Sequence, residues 1–413
     1  MRILVYPHSM EMGGSQLNAV ELAGAIRDRG HAVGVFGPDG PLVDAVHSRG
    51  LSHVAAPVPR VRPSPAVMRR LSDVVHVGRY DLVHAYEWPP AMEAVYGPFM
   101  RFGTPAVCTV MSMAVAPFIP PRLPLTVGTA EIAERERGHR DDVSLLEPPV
   151  DTGLNRPGDQ RSARAGLGVA DSELLVVVVS RLAAQLKLEG ILDAVRAVGV
   201  LASDLPVRLI VAGDGPCRAE VEAAAAQVNA RHGRPAVTLT GNLTDPRPVY
   251  DAADVVLGMG GSALRGMAFA KPLVVQGERG YWRLLEPASL PVFLTQGWYG
   301  IGTGQDGAEL VAAILRRLFS DPEERARLGV FSREVIEDRF SLTAAASAQE
   351  SRYRSAIAAR PSRMRWGPSL VRPLAQVTWY DVRRKIARRL GTVNADDFNS
   401  LAAMTRHHER STS

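Results

Sequence analysis

The feature that most constrains the fold is an alternation of short apolar strands and helical segments, which runs through the first 150 residues. Strands are predicted at Arg2–Tyr6, Ala32–Phe36, Asp81–Ala85 and Ala106–Val110, and Gln16–Arg29 has apolar residues at helical spacing. Strands that alternate with helices pair in parallel through right-handed crossovers. The pattern predicts a Rossmann-like, doubly wound domain.

The same alternation begins again in the second half of the chain. Leu174–Val179 is an unbroken apolar run, which is typical of a central parallel strand covered on both faces. The stretch before it is rich in Pro, Gly and charged residues, as linkers are. The sequence therefore predicts an α/β protein with two Rossmann-like domains facing across a cleft. Its predicted parts are an N-terminal domain over 1–150, a linker over 151–166, a C-terminal domain over 167–340, a closing helix over 341–360 and a basic tail over 361–413.

Positive charge is concentrated in the tail. From Arg360 to the end there are 11 Lys and Arg against 4 Asp and Glu, while the whole chain carries a net charge of +5. The tail interleaves apolar residues with Arg383, Arg384, Lys385, Arg388 and Arg389. This pattern predicts either an amphipathic helix on an anionic membrane surface or a helix that packs on the domains and leaves its basic residues in solvent.

Composition excludes several other classes of protein. No apolar run has the roughly 20 residues that a membrane span requires, and the first strand is too short for a signal peptide. A cytoplasmic protein, peripheral to the inner face of the membrane if the tail binds lipid, is expected. Cys108 and Cys217 fall in different domains, which predicts buried thiols rather than a disulfide or a metal cluster. No nucleic-acid partner is predicted.

Candidate binding residues follow the strands of the second domain, because ligands of open α/β sheets bind at the carboxyl ends of the strands. Arg181 and Lys187 flank the loop after Leu174–Val179, where two cations can converge on a diphosphate or form ordinary surface ion pairs. Two glycine-rich turns follow later strands. Their residues are Gly213, Asp214 and Gly215 in the first, which is a nucleotide-approach loop or a plain tight turn, and Gly260, Gly261 and Ser262 in the second, which is a phosphate-binding helix start or an ordinary N-cap.

Short motifs along roughly residues 1–355 resemble glycosyltransferase family 4 in their joint order and spacing. They are Gly13-Gly14-Ser15, Asp81-Leu82-Val83-His84-Ala85, Val150-Asp151-Thr152, Arg181-Leu182 with Lys187, Val211-Ala212-Gly213-Asp214-Gly215-Pro216, Ala253-Asp254-Val255-Val256, Met267-Ala268-Phe269-Ala270-Lys271-Pro272 and Asp321-Pro322-Glu323-Glu324-Arg325. The resemblance implies a retaining transferase of GT-B fold that needs no cofactor and no metal at the chemical step. By the same resemblance Arg181 and Lys187 hold the donor diphosphate. Gly213, Asp214 and Gly215 line the nucleotide pocket, and Gly13 and Gly14 approach the diphosphate from the N-terminal domain.

The chain departs from the family in the carboxylates of the second domain. The family usually has a Glu-x7-Glu pair, whose second Glu binds the ribose, but Arg265 stands at that place here. Arg265 is predicted to pair with a phosphate instead. Ser262, Glu278 or Glu286 is predicted to replace the ribose contact.

A second departure concerns the N-terminal domain. Where family members often have a histidine after the strand Ala106–Val110, this chain has Met111. His84 as a catalytic group, and His8 on the acceptor side, are the remaining candidates for a hydrogen bond to a substrate hydroxyl, although either is also consistent with a structural histidine. Glu87 is a further acceptor-side candidate, and Trp88 offers a flat face for stacking a sugar ring.

These observations predict an enzyme that moves a sugar from a nucleoside diphosphate sugar to a hydroxyl of a small-molecule, lipid-linked or glycan acceptor. The alternative is a non-catalytic GT-B partner or regulatory subunit that lost turnover with the Glu pair. A nicotinamide-dependent oxidoreductase is disfavoured, because neither domain has Gly-x-Gly-x-x-Gly after its first strand.

Overall fold

The computed structural model describes residues 1–359, 361–389 and Phe398, and the chain divides into two compact units. Unit 1 comprises Met1–Pro149 and the chain from Leu342 onward, and unit 2 comprises Val150–Ser341. The first part of unit 1 contains, in chain order, β1 (Arg2–Tyr6), α1 (Gly14–Asp28), β2 (Ala32–Gly37), α2 (Leu42–Ser48), β3 (Ser52–Ala55), α3 (Pro65–Gly78), β4 (Leu82–Tyr86), α4 (Trp88–Ala94), a π-helical turn (Val95–Phe99), α5 (Met100–Phe102), β5 (Ala106–Val110), β6 (Leu125–Val127), α6 (Ala130–Arg137) and β7 (Val143–Leu145).

Unit 2 continues the same architecture. Its elements are α7 (Gln160–Gly166), β8 (Leu174–Val179), α8 (Leu188–Leu201), β9 (Val207–Ala212), α9 (Arg218–His232), β10 (Val237–Gly241), α10 (Arg247–Ala252), β11 (Val255–Gly258), α11 (Gly260–Ala268), β12 (Leu273–Gln276), β13 (Trp282–Leu284), α12 (Leu290–Gln296), α13 (Gly307–Ser320) and α14 (Pro322–Arg339). The chain then returns to unit 1 with α15 (Leu342–Ala358) and α16 (Arg363–Arg389).

Both sheets are doubly wound, as predicted. The sheet of unit 1 has the order β3-β2-β1-β4-β5-β6-β7 with every described pair parallel. The sheet of unit 2 has the order β10-β9-β8-β11-β12-β13, and only its edge strand β13 runs antiparallel among the described pairs. The strand order reverses beside β1 in unit 1 and beside β8 in unit 2, which is where ligands of such sheets bind.

The apolar run of β8 explains why it lies at the centre of its sheet. Val176 and Val178 face one core cluster of unit 2, and Leu175 and Val177 face the other. All four side chains are fully buried, and burying a residue of this kind stabilises the fold by about 1.5–3 kcal/mol. A strand with both faces covered requires continuous rather than alternating apolar character.

The structure places two predicted segments differently. The segment predicted as a linker, 151–166, is built into unit 2, because it contains α7 and because the buried Arg164 forms a 3.1 Å ion pair with Asp254. The closing helix α15 packs against α1 of unit 1, where Leu342 and Tyr353 join the core. A helix that follows unit 2 in sequence therefore completes unit 1.

None of the helices in the described part of the chain combines the length and apolar character that a bilayer span requires. The same residues contain no cluster of three or more His, Cys, Asp and Glu side chains suited to a metal ion. Cys108 is buried in unit 1, and burial raises the pKa of its thiol. Cys217 lies in unit 2 and is only partly buried, because it stands at the exposed start of α9.

Candidate nucleotide-sugar site

Two cations without partners stand at the carboxyl end of β8. Arg181 is exposed and Lys187 is partly buried, and neither side chain forms a hydrogen bond or ion pair with any residue that the structure describes. Burial lowers the pKa of Lys187 to about 8. Because a desolvated cation without a counter-charge is unfavourable, this loop is suited to receive an anion.

The conformation of the loop that carries Lys187 is fixed by a carboxylate from another strand. Leu186 has a positive φ of 65°, which costs a non-glycine residue about 1 kcal/mol. Its N–H donates to Glu278 Oε1 at 3.2 Å, and Glu278 Oε2 accepts from the Tyr299 hydroxyl at 2.7 Å. Glu189 Oε1, in the first turn of α8, accepts from Gly280 N at 2.7 Å. The turn after β12 thus holds the backbone that presents Lys187.

Glu278 and Glu286 were both predicted as replacements for the ribose contact. They lie at opposite ends of the strand β12. Glu278 follows β12 at the carboxyl edge, beside the loop of Lys187. Glu286 follows the antiparallel β13 and therefore lies beyond the amino end of β12, where it pairs with Arg317 at 3.4 Å. The prediction for Glu286 is wrong, because the antiparallel strand carries it away from the site.

The glycines of the loop after β9 are required by close packing of the backbone. A Cβ on Gly213, whose φ is 144°, would lie 1.9 Å from the carbonyl oxygen of Ser180, and a Cβ on Gly215 would lie 2.4 Å from that of Leu182. Asp214 is occupied as well, because its carboxylate accepts from Gly215 N and pairs with Arg218. The glycines therefore seat this loop directly against the loop of Arg181, and their predicted contact with the nucleotide stays a prediction.

The start of α11 combines backbone N–H groups with a nearby guanidinium. Gly260 has a positive φ of 53° and donates its N–H to Trp298 O at 2.8 Å. Arg265 folds back along the helix, with its Nη1 3.4 Å from Gly261 O. Ser262 does not cap the helix, because its hydroxyl donates to Met259 O at 2.9 Å. The first turn of α11 thus has a cation beside it and no side-chain cap among the described residues.

The helices α1 and α8, which follow β1 and β8, share this lack of a cap with α11. The N-cap residues of α1, α8 and α11 are Gly13, Lys187 and Met259, and none provides a side-chain hydrogen bond within the described part of the chain. The helices α2, α4, α5, α9, α10 and α12 also begin without a side-chain cap in this part of the chain. By contrast, α3, α6, α7, α13 and α14 are capped by Ser64, Thr129, Asp159, Asp306 and Asp321. Uncapped first turns carry N–H groups and a partial positive charge that favour phosphate.

In unit 1 the loop after β1 is open at one of its two glycines. A Cβ on Gly13 would lie 2.4 Å from Gln16 Oε1, whereas a Cβ on Gly14 would meet nothing within 4 Å. His8 Nε2 lies 3.0 Å from Gln16 Nε2, so the histidine belongs to this loop. The predicted contact of Gly13 and Gly14 with a diphosphate stays a prediction.

Glu87 organises the carboxyl edge of unit 1. Its carboxylate accepts from Ser15 Oγ at 3.0 Å, Met111 N at 2.9 Å and Ser112 Oγ at 2.9 Å, so it joins the loops after β1 and β5. Glu87 is buried and has a positive φ of 70°, a strained conformation of the kind found at functional sites. It is therefore a positioning residue for these loops, and its predicted place on the acceptor side stays a prediction.

His84 is a core residue of unit 1, and Trp88 is partly buried against the same core. His84 is 1% exposed, and its ring nitrogens lie 2.6 Å from the Tyr353 hydroxyl and 2.7 Å from Thr109 Oγ1. Burial lowers its pKa to about 3. Trp88 packs edge-on against Phe118 and Tyr380. The structure thus contradicts a catalytic role for His84, because residues distant in sequence enclose it. The stacking of a sugar on Trp88 stays a prediction.

Comparison with known proteins identifies the family. The family model described as Glycosyltransferase Family 4 matches residues 12–152, and that described as Glycosyl transferases group 1 matches residues 173–318. A phosphatidyl-myo-inositol mannosyltransferase of Mycolicibacterium smegmatis is 37% identical over 98 residues, which are 21% of this chain and 25% of that protein. A D-inositol 3-phosphate glycosyltransferase of Segniliparus rotundus is 28% identical over 324 residues, 68% of this chain and 67% of that protein. The chain thus spans between a quarter and two thirds of the length of these relatives.

Solved structures agree on the fold. The Anabaena protein HepE in complex with UDP has a TM-score of 0.66 at 19% identity, with 86% of this chain and 100% of that chain covered. Sucrose-phosphate synthase from Thermosynechococcus elongatus has a TM-score of 0.67 at 19% identity, with 87% and 100% covered. These likenesses, with the two doubly wound sheets, establish the GT-B fold. The chain belongs to glycosyltransferase family 4.

Proposed function

We propose that this chain transfers a glycosyl group, with retention, from a nucleoside diphosphate sugar to an acceptor hydroxyl. The observation that carries the proposal is the pair Arg181 and Lys187, which stands without counter-charges among the described residues beside the uncapped α8. A diphosphate supplies the missing negative charge. Two comparisons support this donor class. One relative is named a glycosyltransferase, and the structural neighbour HepE has been solved with UDP and with UDP-glucose.

In the proposed reaction the protein stabilises the leaving group. The bond between the anomeric carbon and the diphosphate oxygen breaks, the acceptor oxygen bonds to the same face of that carbon, and the acceptor proton passes to the departing phosphate oxygen. Negative charge builds on the diphosphate as this bond breaks, and Arg181 and Lys187 stabilise it there. The desolvated Lys187 is effective because few water molecules screen its charge.

This mechanism needs no histidine base. His84 is enclosed in the core and stays neutral because its pKa is lowered to about 3. Met111, at the position where the family often has a histidine, carries no proton. Positioning of the two substrates and stabilisation of the diphosphate provide the catalysis. No metal is required for the chemical step in this proposal.

For the acceptor we propose a polyol or a polyol phosphate, either free or part of a lipid. Two relatives carry inositol phosphate or phosphatidyl-myo-inositol in their names. The carboxyl edge of unit 1, which Glu87 organises, is the proposed acceptor side, with the polar loop residues His8 and Ser112 as candidate contacts.

A panel of UDP-, GDP- and dTDP-sugars tests the proposal, with inositol and inositol phosphate as acceptors and NMR of the product to report its anomeric configuration. Arg181→Ala is expected to lower kcat/KM by roughly 10–100-fold, since hydrogen bonds to charged groups contribute about 1.5–3 kcal/mol. Arg231→Ala is the matched control, because Arg231 is exposed on α9 of the same unit. Absence of binding and turnover with every donor would contradict the proposal.

Arg265 favours a second candidate, a non-catalytic partner of the same fold. It stands where the family has its ribose-binding Glu and folds onto Gly261 instead. Arg265→Glu separates the two candidates. An enzyme adapted to Arg265 loses activity in this variant, whereas an inert subunit has no transfer activity before or after the change and keeps its stability.

A further inference from the structure

The helix α16 is attached to unit 1 along one face. Leu370 and Val377 are 3% and 0% exposed in the core, and Trp366 packs on Phe99 with ring centroids 4.8 Å apart. Tyr380 packs on Trp88 and Phe118. This inner face agrees with one of the two alternatives predicted for the tail, a helix that packs on the domain.

Hydrogen bonds fix the rotation of α16 on unit 1. The Tyr96 hydroxyl donates to Leu370 O at 2.6 Å, and Arg363 Nη1 donates to Arg101 O at 2.8 Å. Arg122 Nη1 donates to Arg365 O at 3.2 Å. Because the inner face is fixed in this way, the opposite face is presented permanently.

That outer face is apolar and exposed. Six apolar side chains on it are between 39% and 90% exposed, far more than a helix that only packs on its own domain requires. They are Met364, Val371, Leu374, Trp379, Val382 and Ile386. A surface of this size and composition is unfavourable in water and marks an interaction site.

A row of arginines runs beside the apolar face. Arg365, Arg372 and Arg383 each directly follow one of its residues and are exposed. Separations of 7 and 11 residues place all three on one line along the helix, because both are close to whole numbers of turns. Lys385 lies on the other flank and is paired with Asp381 at 2.6 Å.

We propose that the outer face of α16 binds the surface of an anionic lipid bilayer. From Met364 to Ile386 the helix is roughly 33 Å long at 1.5 Å per residue, so that it would lie flat with its apolar row in the acyl boundary and its arginines among the headgroups. Trp379 sits among these residues, and tryptophan favours the membrane interface. An antiparallel pair of copies packed through the same face would bring like-charged arginine rows together, which favours an anionic surface over this form of self-association. This surface is independent of the proposed transfer reaction.

The test uses the full chain and vesicles of phosphatidylcholine, with or without 30% phosphatidylglycerol. We expect binding to the anionic vesicles only, and a blue shift of tryptophan fluorescence that Trp379→Ser removes. The double variant Arg372→Gln/Arg383→Gln is expected to weaken binding roughly 10-fold or more, since each basic residue near such a surface contributes about 1 kcal/mol. Raising the salt concentration should also weaken vesicle binding, because salt screens the attraction between the arginines and the anionic lipid.

The matched control replaces exposed valines away from α16. Val58 and Val330 are 84% and 56% exposed, so Val58→Ser/Val330→Ser removes similar apolar surface and is expected to leave vesicle binding unchanged. Trp379→Ser/Val382→Ser is expected to abolish binding with the thermal unfolding midpoint preserved. Equal vesicle binding by Val58→Ser/Val330→Ser and Trp379→Ser/Val382→Ser would overturn the proposal. A protein that does not bind vesicles, and that forms a dimer which only Trp379→Ser/Val382→Ser dissociates, would also overturn it. So would a protein that binds vesicles only after residues 390–413 are deleted.

Discussion

The two units have the same doubly wound architecture but use their charged residues in opposite ways at the carboxyl edge. In unit 2, Arg181 and Lys187 have no partners among the described residues, and Lys187 has a lowered pKa of about 8. In unit 1, the carboxylate of Glu87 is bonded by three donors, and both nitrogens of His84 are occupied. Unit 2 therefore retains unsatisfied charge for a ligand, whereas unit 1 uses its charged and titratable groups to shape loops.

This difference assigns different tasks to the units in the proposed reaction. A diphosphate is best held where positive charge and uncapped N–H groups coincide, as they do at the start of α8. A neutral hydroxyl acceptor needs shape and hydrogen bonds more than charge. Experiments that exchange or remove the charges of each unit test this division.

The largest effect is expected from removing both cations of unit 2. Arg181→Ala/Lys187→Ala should lower kcat/KM by roughly 1000-fold, because two charged contacts of about 1.5–3 kcal/mol each are lost. Steady-state kinetics of the two single variants and the double variant gives the coupling between them. Independent sites would add, whereas two groups on one diphosphate should show a coupling of roughly 0.5 kcal/mol or more. An unchanged kcat/KM in the double variant would remove the basis of the proposed function.

A smaller effect is expected from the carboxylate that positions Lys187. Glu278→Ala deprives the strained Leu186 of its acceptor, and we expect the KM for the donor to rise roughly 10-fold with a smaller change in kcat. Glu286→Ala is the control, since Glu286 lies at the opposite edge of the sheet. If Glu278 instead bound the ribose directly, Glu278→Ala would weaken the binding of UDP but not that of inorganic diphosphate. Diphosphate affinity would then be unaffected, whereas a positioning role predicts that it falls.

The smallest effect on activity is expected at His84. His84→Gln should change the kcat/KM of the folded protein by less than about threefold, whereas loss of a general base typically costs about 10²–10⁴-fold. The variant should instead reveal the histidine's effect on stability. The folded pKa of about 3 lies below the unfolded value of 6.5, so the unfolded state binds more protons and stability is lost as pH falls below 6.5. Between pH 7 and pH 5 the wild-type free energy of unfolding should drop by about 2 kcal/mol more than that of the variant. Equal slopes in urea titrations would contradict this.

The sequence predicted the architecture because its central strands are strongly apolar. β1, β5 and β8 have the predicted bounds. The three-residue strands β6, β7 and β13 have no prediction, because so few residues show no periodicity. The antiparallel direction of β13, which removes Glu286 from the site, has no signal in the sequence either.

The site was predictable only in part. The spacing of Arg181 and Lys187 around one loop placed them at the same strand end, as the structure does. The enclosure of His84 depends on Tyr353, which is 269 residues away, and the packing of Trp88 involves Tyr380. Neither partner can be identified from the residues around the histidine or the tryptophan. Likewise, Tyr299 and Ser15 were missed because they act only by holding Glu278 and Glu87.

The central claim, that unpaired cations of unit 2 hold the donor diphosphate, is tested most directly by calorimetric binding of UDP between pH 7 and pH 9.5. Because Lys187 has a pKa of about 8, we expect wild-type affinity to fall above pH 8, approaching tenfold per pH unit. Lys187→Arg keeps its charge throughout this range, so its affinity should stay level. UDP binding that is equally independent of pH in both proteins, or no binding at all, would contradict the account.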